Sequence, residues 1–307
     1  MSGYIGRFAP SPTGPLHAGS IVVALASWLD AKAHNGTWII RIEDLDQDRC
    51  IPEVDQFILK QLSDCSLHST VPVQWQSQRR SGYESAFEVL NANDLIYPCD
   101  CTRAQIFSQI LLTSAAGPVK PSRHQSKIYP GTCRPEDSEK TEKINSEARI
   151  QSKQKNVAWR FKVSPGQTSW VDRRLGKQTQ DVSLEVGDFV IKRADAVWAY
   201  QLSVVVDDAV SNVTHIIRGA DLVDNTARQI QLQKALGYER PQYLHTKLKL
   251  GPNGEKLSKQ NGATPADTKD ALTTLNIAAV ELGLQEQSSS VHDALQFWVQ
   301  EWSAKYC

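Results

Sequence analysis

Near the start of the chain the hydrophobic positions change rhythm three times. Tyr4 to Ala9 is a short run that reads as a buried strand, stopped at Pro10 and Pro12, whose ring nitrogens cannot join a ladder. From there Leu16, Ile21, Ala24, Leu25, Trp28 and Leu29 recur at helical spacing. Pro15 suits the first turn of that helix, and Asn35-Gly36 is placed to cap its end. The β-rich run "TWIIRI", Thr37 to Ile42, follows. Strand, turn, helix and strand in that order predict a right-handed parallel βαβ unit.

Further on, Asp55 to Leu62 and Tyr83 to Leu90 carry helical patterns, and "LIYPCDCTRAQIF" leads into a helix that Thr102 is placed to cap. Between Thr113 and Lys155 apolar residues give way to Ser, Lys, Gln, Glu and Pro, the composition of a surface insertion. Beyond it "NVAWRFKV", "FVIKR", "WAYQLSVVVDDA" and "VTHIIRGAD" read as strands, and "TARQIQLQKALGY" as an amphipathic helix. The tail from Thr268 to Tyr306 reads as helical, with Leu272, Leu275, Ala278, Leu282, Ala294, Phe297 and Trp298 as its inner face. No internal repeat is visible. The class is therefore α/β.

Composition narrows the partners only slightly. The 307 residues are 40% hydrophobic, enough for one large α/β domain or two smaller ones, and the 34 basic and 34 acidic residues cancel. Net charge thus neither favours nor excludes RNA, which a local basic face can still bind. No signal-peptide pattern and no apolar stretch of about 18 residues is present, so the expected location is the cytoplasm, with no membrane partner. In that reducing compartment the six cysteines read as metal ligands, catalysts or buried side chains. Cys50, Cys65 and Cys307 are scattered and fit burial. Cys99 and Cys101 in "CDC", with Cys133 in "YPGTC", offer three thiols to a tetrahedral Zn²⁺, and either Tyr129 or His124 is near enough in sequence to be the fourth ligand.

Two other stretches carry chemistry. The turn "SPTGPLHAGS" leads into a helix N-terminus, where unpaired N–H groups and the positive end of the dipole suit a phosphate. In "GPNGEKLSKQNG" a glycine-rich loop presents Lys256 and Lys259 around Ser258, two ammonium groups for a polyphosphate. Taken singly, each also reads as an ordinary turn.

Together, and in this order, the two resemble the paired signatures of class I aminoacyl-tRNA synthetases. His17-Ala18-Gly19-Ser20 stands for His-Ile-Gly-His, and Lys256-Leu257-Ser258-Lys259-Gln260 for Lys-Met-Ser-Lys-Ser. "RFAPSPTGPLHAGS", "RIEDLD", "QSQRRSGYESAFEVL", "WAYQLSVVVDDAVSNVTHIIRGADL" and "KLSKQ" resemble the catalytic domain of the glutamyl-tRNA synthetase family from residue 5 to about 262.

That resemblance implies a Rossmann-type catalytic domain whose first half is 1–95, a zinc-binding acceptor-type insertion over 96–160, the second half over 161–262, and a short helical tail over 263–307. It implies glutamate activation by ATP, with Mg²⁺. His17 and Lys259 serve the triphosphate, joined in the ATP site by Gly19, Ser20, Lys256 and Ser258. Arg7 takes the glutamate side-chain carboxylate with help from Arg218, and Glu43 takes the α-ammonium. Phe8, Ala9, Pro10, Ser11 and Tyr200 complete that pocket. Read without the family, Arg7 and Glu43 could simply pair across adjacent strands, and Tyr200 could be a core aromatic.

Departures from the family pattern are Ser20, where a second histidine is usual, and Gln260, where a serine is. Only 47 residues follow Gln260, where the family carries a large anticodon-binding domain. The chain thus resembles a shortened branch of the family, without that domain, which activates glutamate in the absence of tRNA and attaches it to queuosine in the anticodon of tRNA(Asp). The same branch implies Tyr129, four residues before Cys133, as fourth ligand of one structural Zn²⁺. Rival readings are a truncated synthetase that charges a tRNA 3′ end and an inactive RNA-binding paralogue; the presence of Arg7, His17, Glu43 and Lys259 speaks against the latter. A monomer is the default expectation.

Overall fold

The computed structural model describes residues 3–113, 128–135, 157–248 and 264–307. The predicted βαβ unit is there: β1 (Ile5–Phe8), α1 (Ala18–Ala33) and β2 (Thr37–Ile42), with Arg7 of β1 in parallel register with Ile39 of β2. Helix α1 begins later than the apolar rhythm suggested. Its N-cap is His17, so Pro15 precedes the helix rather than sitting in its first turn. At the far end Asn35 turns left-handed (φ 51°) and Gly36 passes so close to Tyr4 that a Cβ would lie 2.5 Å from the Tyr4 carbonyl oxygen.

Next come α2 (Val54–Asp64), β3 (Gln74–Trp75), α3 (Arg80–Ala92), β4 (Ile96–Cys99) and α4 (Arg103–Thr113). Thr102 caps α4 as expected, its Oγ1 accepting from the Gln105 amide at 3.2 Å. Then follow β5 (Ala158–Phe161), β6 (Thr168–Asp172), β7 (Gly176–Gln180), the single turn α5 (Val182–Glu185) and β8 (Phe189–Lys192). Last are α6 (Tyr200–Val210), β9 (His215–Gly219), α7 (Val223–Leu236), β10 (Gln242–Thr246), α8 (Ala271–Glu281) and α9 (Val291–Tyr306).

Seven strands form the main sheet in the order β3-β2-β1-β9-β10-β6-β7, parallel except for the β6–β7 hairpin. Strand order reverses between β1 and β9, and the crevice beyond the carboxyl ends of strands at such a point is where open α/β sheets bind ligands. "NVAWRFKV" and "FVIKR" do form strands, but they join β4 in a separate antiparallel sheet, β4-β5-β8.

One expected strand is a helix. "YQLSVVVDDA" forms α6, in which every residue from Gln201 to Asp208 is buried. Its three consecutive valines favour strand locally, and a helix covered on all sides has no polar stripe to show the 3.6-residue period.

The tail is two helices laid on α1. Leu275, Ala278, Ala294, Trp298 and Trp302 join Ile21, Leu25 and Leu29 in one core, whereas Phe297, expected inside, is 38% exposed. A buried polar latch fastens the same contact. Asp30 of α1 accepts from Arg173 at 2.7 and 2.8 Å, from Trp302 Nε1 at 2.8 Å and from the Tyr4 hydroxyl. No helix among the described residues is long and apolar enough to cross a membrane.

Candidate active site

The turn that leaves β1 is built from backbone bonds. Pro10 O accepts from Glu43 N (2.9 Å) and Pro12 O from Ile51 N (2.9 Å), tying the exit of β2 to the turn, while Thr13 N bonds Ser11 O at 2.8 Å and Gly14 takes φ 150°. Ser11 is exposed and Ala9 half-buried; Phe8 turns its ring into the core, stacked 6.3 Å from Trp38. His17 then opens α1, its Nδ1 accepting from Ser20 N at 3.3 Å, with Gly19 and Ser20 half-buried in the first turn. Amide donors are thus gathered at a helix start.

Under this turn lies a buried ionic cluster. Asp208 of α6 accepts from Arg7 Nε (3.1 Å) and Nη2 (3.4 Å) and from Arg41 Nη1 (2.7 Å). Its neighbour Asp207 accepts from Gln76 (2.7 Å) and Tyr83 (2.8 Å) and pairs with Arg79 at 2.9 Å. Burial alone would push the Asp208 carboxyl up, but Arg41 and Arg7 beside it hold it below the usual range. Arg7 is therefore oriented by Asp208, not by a cross-strand pair with Glu43.

Glu43 is different. Its Oε1 is buried with no hydrogen-bond partner, and its nearest cation, Arg41 Nη2, is 3.8 Å away. Burial outweighs the pull of Arg41 and Arg7 and lifts its pKa to about 7. A carboxylate with one oxygen buried, free of hydrogen bonds and only loosely paired with Arg41, is a costly arrangement that a further cation would relieve.

Tyr200 starts α6 half-buried. Burial pushes its phenol up, while its charged neighbours are Arg218, Glu43 and Arg7. Arg218 of β9 is buried, and each of its nitrogens is held: Nε by His245 Nε2 (3.0 Å), Nη1 by Gln229 (2.7 Å) and Nη2 by Thr226 (2.8 Å). Arg7, Glu43, Tyr200 and Arg218 thus converge at the switch point between β1 and β9.

Lys256, Ser258, Lys259 and Gln260 lie outside the described residues. The segment just past them is placed, however: Pro265 bridges to His17, and Ala266 N donates to Leu16 O at 2.8 Å. The buried amide of Gln61 on α2 spans both strands of this junction, accepting from Leu16 N (2.8 Å) and donating to Leu16 O (3.1 Å) and Ala266 O (3.2 Å). Gln61, Arg41, Asp207 and Asp208 were not singled out from the sequence. Two adjacent aspartates within a valine run were the available signal, since such a pair is buried only against cations.

In the small sheet, Cys99 ends β4, and the sulfurs of Cys99, Cys101 and Cys133 lie within 4.8 Å of one another. Tyr129 Oη stands 3.5 Å from Cys99 Sγ and 4.0 Å from Cys101 Sγ, and accepts from Cys133 N at 2.9 Å. Four ligands roughly 2.3 Å from a tetrahedral Zn²⁺ stand roughly 3.7 Å apart, so the set fits that ion. Burial pushes the Cys99 thiol up, yet hydrogen bonds from Tyr129 and from Arg160 Nε (3.3 Å to sulfur) bring it below its ordinary value. Cys133 is pushed up to about 12 by burial and by Cys101 and Cys99. His124 lies outside the described residues.

The family model for class I tRNA synthetases (E and Q), catalytic domain, matches residues 5–278. A glutamyl-Q tRNA(Asp) synthetase of Albidiferax ferrireducens is 49% identical over 98% of this chain and 99% of its own length. One from Leptothrix cholodnii is 48% identical over 98% of each. Among solved structures, the glutamate-tRNA synthetase of Elizabethkingia anophelis superposes with a TM-score of 0.68 at 27% identity. A glutamate tRNA ligase of Elizabethkingia meningosepticum, in complex with its amino acid, does so with the same score at 28%. Both matches cover 85% of this chain and 53% of the solved one, so the chain spans about half the length of those two.

Proposed function

We propose, from the premise that this chain belongs to the class I (E and Q) tRNA synthetases and is a ligase of that family, that it activates L-glutamate with ATP in the absence of RNA and transfers it to queuosine in the anticodon of tRNA(Asp). The observation that carries the reading is an Arg7 oriented by Asp208 in the same cluster as Glu43, whose buried Oε1 has no hydrogen bond and only a 3.8 Å ion pair with Arg41. A guanidinium and a carboxylate so placed match the side-chain carboxylate and the α-ammonium of glutamate, leaving its α-carboxylate as the nucleophile.

In the first step an α-carboxylate oxygen attacks the α-phosphorus of ATP, supplied as its Mg²⁺ complex. The bond to the bridging oxygen breaks, and pyrophosphate leaves with its electron pair. His17, Gly19 and Ser20 at the start of α1 meet the nucleotide, and Lys256, Ser258 and Lys259 serve its phosphates. Support for that role is the junction of Pro265 and Ala266 with Leu16 and His17, which lies only a few residues in sequence from the lysines. Arg218 and Tyr200 complete the glutamate pocket with Phe8, Ala9, Pro10 and Ser11. In the second step a queuosine hydroxyl oxygen attacks the adenylate carbonyl, its proton leaves, and AMP departs. Catalysis is positioning and charge neutralisation throughout.

Cys99, Cys101, Tyr129 and Cys133 would hold one Zn²⁺, whose contribution is structural, clipping the insertion to the small sheet. The names carried by the relatives support queuosine rather than the 3′ adenosine as acceptor. Charging tRNA with radioactive glutamate and cutting it with nuclease tests this. Label in the anticodon fragment is expected; label at the 3′ end refutes it.

A further inference from the structure

We propose that His245, anchored by Asp172, is the positioning residue that sets the orientation of Arg218 for a ligand carboxylate; the ligand's identity as glutamate rests on the function proposed above. Three neighbouring strands, β9, β10 and β6, each contribute one member of this chain. His245 is the register partner of Arg218 on the adjacent parallel strand, and Asp172 ends β6 one strand further on. All three side chains are buried, those of His245 and Asp172 completely.

The direction of the hydrogen bonds is fixed by chemistry. A guanidinium only donates, so at 3.0 Å from Arg218 Nε the His245 Nε2 must present its lone pair. The ring proton therefore sits on Nδ1, where it is donated to Asp172 Oδ2 at 2.6 Å. Asp172 is itself pinned as an acceptor by the amides of His245 (3.1 Å), Arg174 (3.0 Å) and Leu175 (2.8 Å). With Gln229 and Thr226 on the terminal nitrogens, three of the five guanidinium donors are used for orientation, and the other two are left to meet a carboxylate. Removing the Nε2 acceptor leaves a buried Nε–H unpaired and the guanidinium held through Nη1 and Nη2 alone, so its setting toward a carboxylate loosens while the rest of the pocket stays in place.

Two isosteric halves of the ring separate this role from simple core filling. In H245Q the amide oxygen can take the place of Nε2 and keep the bond to Arg218. In H245N the amide nitrogen can take the place of Nδ1 and keep only the bond to Asp172. By pyrophosphate exchange on the full chain, H245N should raise the KM for glutamate by about tenfold to a hundredfold, leave the KM for ATP within about twofold, and be largely rescued in H245Q. Equal losses in both variants, or parallel rises in both KM values, would overturn the proposal. NMR of ¹⁵N-labelled protein reads the same point without substrate. His245 should carry its proton on Nδ1, and the Arg218 Nε–H should exchange slowly in wild type and H245Q but fast in H245N. A proton on Nε2, or equal exchange in all three, rejects the positioning role even if the wild type activates glutamate. Absence of exchange with glutamate, alongside the expected NMR pattern, would reject only the substrate assignment.

Discussion

Replacing Glu43 with glutamine should make the free protein more stable and the enzyme worse. The folded chain holds the Glu43 carboxyl with its Oε1 buried, without a hydrogen bond and 3.8 Å from Arg41, and its pKa stands at about 7 instead of 4.5. The sign follows from linkage. The fold binds this proton more tightly than the unfolded chain does, so stability falls as pH rises from about 4.5 and levels off once the folded group has also ionised, above about 7. The displacement from 4.5 to about 7 corresponds to about 3 kcal/mol at pH 8. Glutamine escapes the charge penalty but still buries an amide, which leaves a net gain of about 2 kcal/mol, or about 4 °C in melting temperature for a chain of this size. At pH 4.5 that gain should be gone, leaving E43Q no more stable than wild type. Glutamate binding should move the other way, because the amide cannot neutralise the ammonium: a loss of about 1.5–3 kcal/mol raises the glutamate KM by at least about tenfold. For the wild type, kcat/KM for glutamate should fall about tenfold for each pH unit below about 7, an inflection that E43Q lacks. Melting curves at pH 4.5 and 8 and pyrophosphate exchange across that range supply the numbers. An E43Q protein that melts no higher than wild type at pH 8 and binds glutamate unchanged would refute the reasoning.

Further outcomes follow from other buried contacts. Gln61→Leu orphans the Leu16 amide and removes one of the bonds holding Ala266, so we expect a loss of about 2 kcal/mol in chemical denaturation and a raised KM for ATP with the glutamate KM unchanged. Elemental analysis should find about one zinc per chain, lost in Cys133→Ser, with an earlier melt on chelation. Asp30→Asn breaks a buried pair with Arg173 and should cost about 3–5 kcal/mol. Burial works against the Asp30 charge, but Arg173 holds its carboxyl below 3.8; the stability it contributes is present above that pH and lost as acid titrates it, and Asp30→Asn should flatten that part of the pH–stability curve.

What the sequence disclosed was mostly local. The Pro and Gly punctuation between Pro10 and Gly14, the cap at Asn35-Gly36 and the β-rich run after it are each decided by neighbouring residues, and they located the βα turn correctly. The closely spaced pair Cys99 and Cys101, with Cys133 across the insertion, pointed to the cluster that the fold gathers. Concealed from it were the contacts made at long range. Arg7 and Asp208 lie 201 positions apart, and reading α6 as a strand scattered the aspartates that orient Arg7 and Arg41. A helix buried all round lacks the amphipathic signal by which helices are recognised. The bonds of Gln61 were illegible for another reason: a glutamine in an amphipathic helix is most simply solvated. Phe297 fitted the helical spacing yet ended outside, because Trp298 and Trp302 filled the space against α1.

Pyrophosphate exchange with the purified protein, ATP, Mg²⁺ and L-glutamate, with every trace of RNA removed, asks most directly whether these residues form a glutamate-activating site. Exchange that depends on L-glutamate and is lost in Arg7→Met and His17→Ala is the predicted result. Exchange that requires tRNA, or that another amino acid supports equally well, would contradict it.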